Sequence, residues 1–405
     1  MDAPRIALLI GAYPPSTGGA QAHTHALARA LAQRGVVRPE VTTLWRETRS
    51  DWVAASTQPV TDDAGDASSD APVDELDGVP VKTIGLGSSS RSDPWMRRSY
   101  YPMRRTASRH FADELQPPFH APADGVAAVH AVRLGREHLA LRGLDEARAR
   151  DLPFLLTPNH HPRWSRRLFP DPVWRRLYKD ADTVFALTEH ERAMLVDLGV
   201  DEQRVVVTGV GPVLSPNRRR PDELPESAER YLLFLGQQYP YKRLDRAVAA
   251  FDLLARGDAD LRLVVAGPAQ PETDETVADS GYVDRIHVLG VVEEPEKRWL
   301  LEHAAVLLFP SEQESFGGVV VEAAATGCPV VVANVPAVAQ VVDALAWGVV
   351  ASSSAGSLAE AARSLLIAPP SDEARSTAVQ RVDARYSWPA LAGIYEQTYL
   401  RLLGS

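Results

Sequence analysis

The sequence predicts an α/β protein built from two doubly wound, parallel-sheet domains, and three observations carry that prediction. Short apolar runs alternate with helix-length amphipathic segments along the chain, the signature of strand–helix–strand units. The alternation runs from residues 6–10 to 205–207, passes a segment rich in Pro, Arg and acid at 215–229, and restarts at 232–235, as a second domain would. Loops bearing glycine or proline follow the apolar runs, at 11–19, 236–243 and 310–318, and so stand at the carboxyl ends of strands, where open α/β sheets bind ligands. A length of 405 residues accommodates roughly two to three domains, each with its own core.

Composition narrows the function classes. Lys and Arg total 43 against 53 Asp and Glu, a net charge of -10 with no long basic tail, which argues against a general nucleic-acid binder. The single cysteine, Cys328, excludes an internal disulfide framework and fits a reducing compartment. Between Gly327 and Pro329 it reads as a small buried hydrophobe rather than a nucleophile. The apolar run at 6–12 is too short, and too soon broken by Pro14 and Pro15, for a signal peptide. The most apolar region, 319–351, is cut by Gly327, Pro329, Asn334 and Pro336, short of the about 20 unbroken residues that a span needs. A cytoplasmic location is expected.

In the first half, 6–10 reads as a strand and 20–34 as a helix, with Ala26, Leu27, Ala30 and Leu31 on one face and Gly35 as its stop. The glycine-rich turn between them lacks the G-x-G-x-x-G spacing of a dinucleotide site, and Glu47 after the strand at 41–45 keeps a dehydrogenase-like reading only weakly open. Residues 46–77 hold Asp62, Asp63, Asp66, Asp70, Asp74, Glu75 and Asp77 among small residues, a solvated loop without the turn geometry of a calcium site. After a strand at 79–86, the stretch 95–111 interleaves Arg97, Arg98, Arg104, Arg105 and Arg109 with Tyr100, Tyr101 and Met103. Such a run suits an anionic lipid surface or a phosphorylated acceptor, or else a solvated helix whose Arg stems cover its neighbours. Strands at 125–131 and 154–157 bring His130, His160, His161 and Trp164 to one sheet edge, where neutral imidazole can exchange a proton with a sugar hydroxyl.

In the second half, the strand at 232–235 leads into a loop carrying Lys242, a point charge suited to a diphosphate. A helix at 244–256 and strands at 261–266, 287–289 and 304–309 follow. The strand at 304–309, a loop at 310–318 and an alanine-rich helix stopped by Gly327 together make an anion site, because the free N–H groups and dipole of a helix start favour negative charge. Glu314 and Glu322, eight residues apart, are acceptor-only groups that suit a hydroxyl-rich ligand, or else an ordinary acidic loop and a first-turn Glu. Asp180 with Asp182, and Asp258 with Asp260, precede strands rather than follow them, so no metal site is expected. The tail at 386–403 carries Trp388, Leu391, Ile394, Tyr395, Tyr399 and Leu402 at helical spacing, a stripe for core packing.

The run FPSEQESFGGVVVEAAATGCPVVVAN at 309–334 closely resembles the signature of the family-4 retaining glycosyltransferases of the GT-B fold, and the resemblance covers nearly the whole chain apart from 46–77. It implies an acceptor-side Rossmann-like domain at 1–212, a nucleotide-sugar-binding domain at 213–385, a cleft between them, and a C-terminal helix at 386–405 crossing back. By the resemblance Glu314 lies near the donor sugar, Glu322 accepts from the ribose, and the backbone of Ser315, Phe316, Gly317, Gly318 and Val319 meets the diphosphate. Gly18 and Gly19 match a similar YPP-x-x-GG loop, Lys242 matches a diphosphate-binding lysine, and Gly236, Gly267 and Val291 complete the donor set. Gln237 stands where the family carries Arg, with Arg243 as the candidate substitute, while Val132 and Asn159 replace histidines of the pattern. His160 and His161 join Glu314 and Lys242 as the catalytic set, and His130, His161 and Trp164 form the acceptor side. The implied activity is metal- and cofactor-free, front-face transfer from a UDP- or GDP-linked sugar to a hydroxyl of a sugar, glycolipid or small-molecule acceptor, in the cytoplasm or peripherally at the inner face of a membrane. A sugar-nucleotide epimerase, a phosphorylase and an inactive nucleotide-sugar binding protein stay open as alternatives.

Overall fold

A computed structural model describes residues 2–47, 52–57, 74–86, 94–98, 100, 102–116, 125–132, 137–159 and 172–404. They form two compact units, Met1–Gly209 with Trp388–Ser405, and Val210–Ser387. Each unit is an α/β sandwich whose central strands are mostly apolar, as parallel strands covered on both faces tend to be.

The first unit contains β1 (Arg5–Ala12), β2 (Arg38–Trp45), β3 (Asp74–Leu76), β4 (Val79–Thr83), a small antiparallel pair β5 (Gly85–Leu86) and β6 (Leu115–Gln116), then β7 (Val126–Val132), β8 (Phe154–Thr157), β9 (Thr183–Ala186) and β10 (Val205–Val207). Its main sheet has the order β10-β9-β8-β7-β1-β2-β4-β3, parallel except for β3, which turns back on β4. The turn at Asp77 and Gly78 has φ of 50° and 79°, as a tight hairpin of this kind requires. The C-terminal helix Trp388–Leu403 belongs to this unit: Ala392, Tyr395 and Tyr399 pack on Ile6, Leu8, Leu27 and Phe185, and Arg34 pairs with Glu396 at 2.7 Å.

The second unit contains β11 (Tyr231–Leu235), β12 (Arg262–Ala266), β13 (Ile286–Gly290), β14 (Val306–Phe309), β15 (Val330–Ala333) and β16 (Val349–Ala351), all parallel, in the order β13-β12-β11-β14-β15-β16. This is the Rossmann arrangement, in which the chain winds outward from β11 in one direction and then from β14 in the other. The reversal falls between β11 and β14, registered by Leu232 beside Val306 and Leu233 beside Leu307. Cys328 enters β15 fully covered, its thiol pushed up to about 12 by burial, in keeping with its reading as a hydrophobe.

Two expectations are corrected here. Within 46–77 the structure places a short helix, Trp52–Ser56, and β3, so the acidic segment ends in sheet rather than in a solvated loop; Asp62, Asp63, Asp66 and Asp70 lie outside the described residues. The arginine-rich stretch is two helices, Pro94–Arg98 and Arg104–Glu114, and it is not solvated throughout. Arg104 and Tyr100 are buried, with Arg104 ion-paired to the fully buried Glu137, whose carboxylate also accepts from Trp174 Nε1 at 2.7 Å. Burial alone would raise the Glu137 pKa, yet Arg104 and the hydrogen bonds from it and Trp174 hold it below the usual carboxylate range.

One glycine in the second unit is required by backbone proximity. At Gly267, with φ of 125°, a Cβ would stand 2.1 Å from the Gly236 carbonyl oxygen, a clash no rotamer can relieve. Gly267→Ala is therefore expected to lower the unfolding midpoint by about 4–8 °C, whereas Gly281→Ala, with nothing within 4 Å of the new methyl, should leave it in place; thermal unfolding of the two variants checks this.

Candidate functional site

The reversal of strand order in the second unit places two loops side by side, since β11 and β14 are adjacent and parallel and both end on the same edge. The loop after β11 crosses a short 3-10 turn, Pro240–Lys242, and the loop after β14 leads to the helix Gly318–Ala325. They are sewn together by main chain and side chain: Glu312 N–H donates to the Tyr241 carbonyl at 2.9 Å, Ser311 Oγ reaches the same carbonyl at 3.4 Å, and Arg243 and Arg246 both donate to Glu312 at 2.6 Å.

At the centre of this seam Lys242 Nζ donates to Glu314 Oε1 at 2.5 Å, with side chains only 19% and 12% exposed. Burial alone would lower the ammonium pKa, but the Glu314 carboxylate overrides it and raises Lys242 above its ordinary value. The Phe309 and Tyr241 rings lie 5.4 and 5.6 Å from the nitrogen, adding favourable quadrupole contact. Beside the pair, Gly317 takes φ of 91° and starts the helix Gly318–Ala325 without a side-chain cap. The Gly318 and Val319 N–H groups donate to no described residue, so the positive end of the helix dipole stands open next to the ammonium. Phe316 points inward, 3% exposed and edge-on to Tyr386 at 5.5 Å, and thereby fixes the loop's backbone.

One turn into the helix, Glu322 is 8% exposed. Its Oε1 accepts from Lys297 Nζ at 3.0 Å and from the Val213 N–H at 3.2 Å. Burial raises its pKa, and Lys297 opposes that shift. On the other side of β11, Gly236, Gly267 and Gly290 close the ends of β11, β12 and β13, with Gly236 N–H donating to Ala266 O at 2.9 Å and Gly267 N–H to Gly290 O at 2.6 Å. Gln238 braces this edge through Gly267 O and Thr273 Oγ1, while Gln237 hydrogen-bonds to no described residue. Val291, just beyond, is 71% exposed.

The other predicted residues fall out differently. Arg243, the candidate substitute diphosphate ligand, sits at φ of 59° with Nε and Nη2 on Asp245 at 2.8 and 2.6 Å and Nη1 on Glu312 at 2.6 Å, so three of its five N–H groups already serve the loop itself. His130 was expected on the acceptor side, but its ring is fully buried, with Nδ1 and Nε2 each 2.7 Å from the Tyr399 and Thr157 hydroxyls. Burial pushes it down to about 3, and it serves as a neutral core residue under the C-terminal helix. His160, His161 and Trp164 lie outside the described residues. The paired aspartates act as braces: Asp182 accepts from Arg148 and the Phe154 N–H, and Asp258 from Arg230 and the Leu261 N–H.

Gly18 begins the helix Gly19–Arg34, and a Cβ there would lie 2.5 Å from Gln21 Oε1. The preceding loop is anchored by groups that sequence reasoning passed over: Tyr13 Oη lies 2.9 Å from His25 Nδ1, and His25 Nε2 lies 3.0 Å from Asp77 Oδ2. A carboxylate accepts only, so His25 donates from Nε2 to Asp77, and its Nδ1 shares a hydrogen bond with the Tyr13 hydroxyl. Lys297 was also missed, although its signal is in the sequence: it lies three and four residues before Leu300 and Leu301, a charge on the apolar face of its helix.

Two Rossmann-like units, the second with a cation, an open helix start and two carboxylates at its switch point, are the architecture of the GT-B fold. Residues 18–211 match the family described as Glycosyl transferase 4-like domain and residues 217–382 the family described as Glycosyl transferases group 1, and the chain belongs to this group of glycosyltransferases. Among curated proteins it is similar to a glycogen synthase of Mycobacterium tuberculosis, 26% identical over 62% of this chain and 63% of that one. It is also similar to D-inositol 3-phosphate glycosyltransferase 2 of Catenulispora acidiphila, 33% identical over 57% and 60%. The chain thus spans about 60% of the length of these relatives. Among solved structures, a sucrose-phosphate synthase from Thermosynechococcus elongatus shares the fold with a TM-score of 0.70, 19% identity and 99% coverage of both chains. HepE from Anabaena, in complex with UDP and glucose, does so with 0.67, 16%, and 98% and 99% coverage. No helix among the described residues is long and apolar enough to cross a membrane.

The Lys242–Glu314 pair should be measurable by itself. In chemical unfolding of Lys242→Met, Glu314→Gln and the double variant, a coupling of about 1–3 kcal/mol is expected for this part-buried pair; a coupling near zero would show that the two groups do not meet in solution.

Proposed function

We propose that the chain is a retaining glycosyltransferase that moves a sugar from a nucleoside diphosphate sugar to an acceptor hydroxyl without a metal. The observation that carries this reading is the meeting, at one switch point, of the Lys242–Glu314 pair with the open N–H groups of Gly318 and Val319. Transfer of a glycosyl group requires that charge growing on the departing diphosphate be met by fixed donors. Lys242 and the helix start supply them, and on donor binding the diphosphate replaces Glu314 as the ammonium's partner. Glu314, released, accepts from hydroxyls of the sugar, while Glu322 accepts from the ribose. The acceptor hydroxyl attacks from the face the diphosphate leaves, its proton passing to the departing phosphate oxygen, so the anomeric configuration is kept. His160, His161 and Trp164 take the acceptor side in this reading. A uridine donor is the first choice, because UDP is what HepE, of the same fold, holds.

The test is calorimetric titration of UDP, GDP, ADP, TDP and NAD in the presence of EDTA, followed by assay of acceptor-dependent nucleoside diphosphate release and of the anomeric configuration of the product. One diphosphate should bind, and Glu322→Ala should weaken it at least about tenfold, or about 1.4 kcal/mol. Glu314→Ala should leave that affinity largely intact and cut turnover by about a hundredfold or more. Preference for NAD, or turnover that survives Glu314→Ala, would overturn the assignment of this site, and an inverted product would overturn retention.

A further inference from the structure

We infer that Lys297 is a positioning residue for the nucleoside: it clamps Glu322 by one oxygen and leaves the other to accept from the ligand's hydroxyls. This rests on the reading that Glu322 faces the ribose. Lys297 stands on the helix Glu294–His303. Its Nζ has three acceptors at hydrogen-bonding distance, the Val213 carbonyl at 2.6 Å, Glu294 at 2.9 Å and Glu322 Oε1 at 3.0 Å, which use all three of its protons. Glu322 Oε1 is filled twice, by Lys297 and by the Val213 N–H, while Oε2 receives no donor from the described residues. With side chains 14% and 10% exposed, neither group swings freely. The carboxylate is therefore presented in one orientation, one oxygen spent and one offered, which is the preorganisation a vicinal diol needs.

A purely structural residue at this place would be apolar. Lys297 shares its helix face with the buried Leu300 and Leu301, where a methionine fills similar volume without the desolvation that an ammonium incurs. The charge acts on Glu322. Burial disfavours its ionised form and raises its pKa; Lys297 is the largest opposing influence, and Glu294 adds a weaker push upward. The Val213 segment brings only a backbone N–H. Of the other helices against Gly318–Ala325, Asp372–Tyr386 carries Arg375, which is occupied by the Gly327 carbonyl at 2.6 Å, and Pro336–Leu345 carries Asp343, which does not hydrogen-bond to Glu322. Removing Lys297 therefore raises the Glu322 pKa further, and a larger share of the carboxyl is protonated near neutral pH. A protonated Oε2 offers a donor where the ligand's hydroxyls need an acceptor, so affinity falls at neutral pH and returns as pH rises.

The experiment titrates the diphosphate that the wild type binds best, from the set UDP, GDP, ADP and TDP, into wild type, Lys297→Met, Lys297→Arg, Glu322→Ala and Lys297→Met/Glu322→Ala from pH 6 to 9, with thermal unfolding of each protein. Lys297→Met should bind about tenfold more weakly at pH 7, a loss of about 1.4 kcal/mol, and recover most of that loss by pH 9. Lys297→Arg should keep the wild-type pH profile, and in the Glu322→Ala background Lys297→Met should add no pH dependence. The inference is overturned if folded Lys297→Met binds with wild-type affinity and profile, or if its loss is the same at every pH. It is likewise overturned if Lys297→Arg shows the defect of Lys297→Met. Failure of the donor-site reading looks different: the wild type then binds no diphosphate, or binds one that Glu322→Ala does not weaken.

Discussion

The parallel pairing of β11 with β14 is the constraint on which the second unit's chemistry depends. Because these strands were laid down about 75 positions apart in the chain, from Tyr231 to Val306, nothing local brings their following loops together; the sheet does. Once they are neighbours, a part-buried ammonium and a part-buried carboxylate can satisfy one another across the seam. Left with no partner at all, each would carry an uncompensated desolvation cost. Pairing therefore makes it possible to keep a charged lysine at this edge, and the Arg243–Glu312–Arg246 group outside it holds the same two loops in register.

The first unit solves its packing with polar groups placed deep inside. Glu137 and Arg104 form a charged pair under Trp174, and His130 bridges two hydroxyls beneath the returning helix. These networks join distant segments: His130 and Tyr399 are 269 positions apart. His130 has both ring nitrogens bonded, which is the condition under which buried polarity specifies one arrangement rather than weakening it. The C-terminal helix is held by shape and by bonds of fixed geometry at once.

Much of this was readable from the chain, and the rest was hidden for definite reasons. Fold class followed from the alternation of apolar runs with helices, because parallel strands covered on both faces leave an unbroken hydrophobic mark. The stretch from Pro310 to Glu322 also announced itself, since a strand, a glycine pair and an alanine-rich segment have one common local solution. What periodicity could not carry was side-chain direction in short or irregular segments. His130 lies near the end of β7, yet its side chain turns under the C-terminal helix. Arg243 lies beside Lys242 in sequence, but its left-handed backbone aims the guanidinium along the loop. Arg104 looked like one member of a solvated run, and its partner Glu137 is 33 residues away. Lys297 was legible in principle, as a charge in an apolar stripe, but a single such exception resembles the snorkelling lysines common on helices. Partners that close a polar group's account are mostly nonlocal.

The buried Cys328 has a practical meaning. It is the one thiol in 405 residues, sealed at the entrance to β15 and held protonated far above neutral pH by its surroundings. Maleimide and disulfide reagents need an accessible thiolate, so the native protein is silent toward them. Surface cysteines introduced in pairs, one on each unit, can then carry fluorophores or spin labels without first stripping the background, and the distance between the units can be followed in solution while a nucleotide binds.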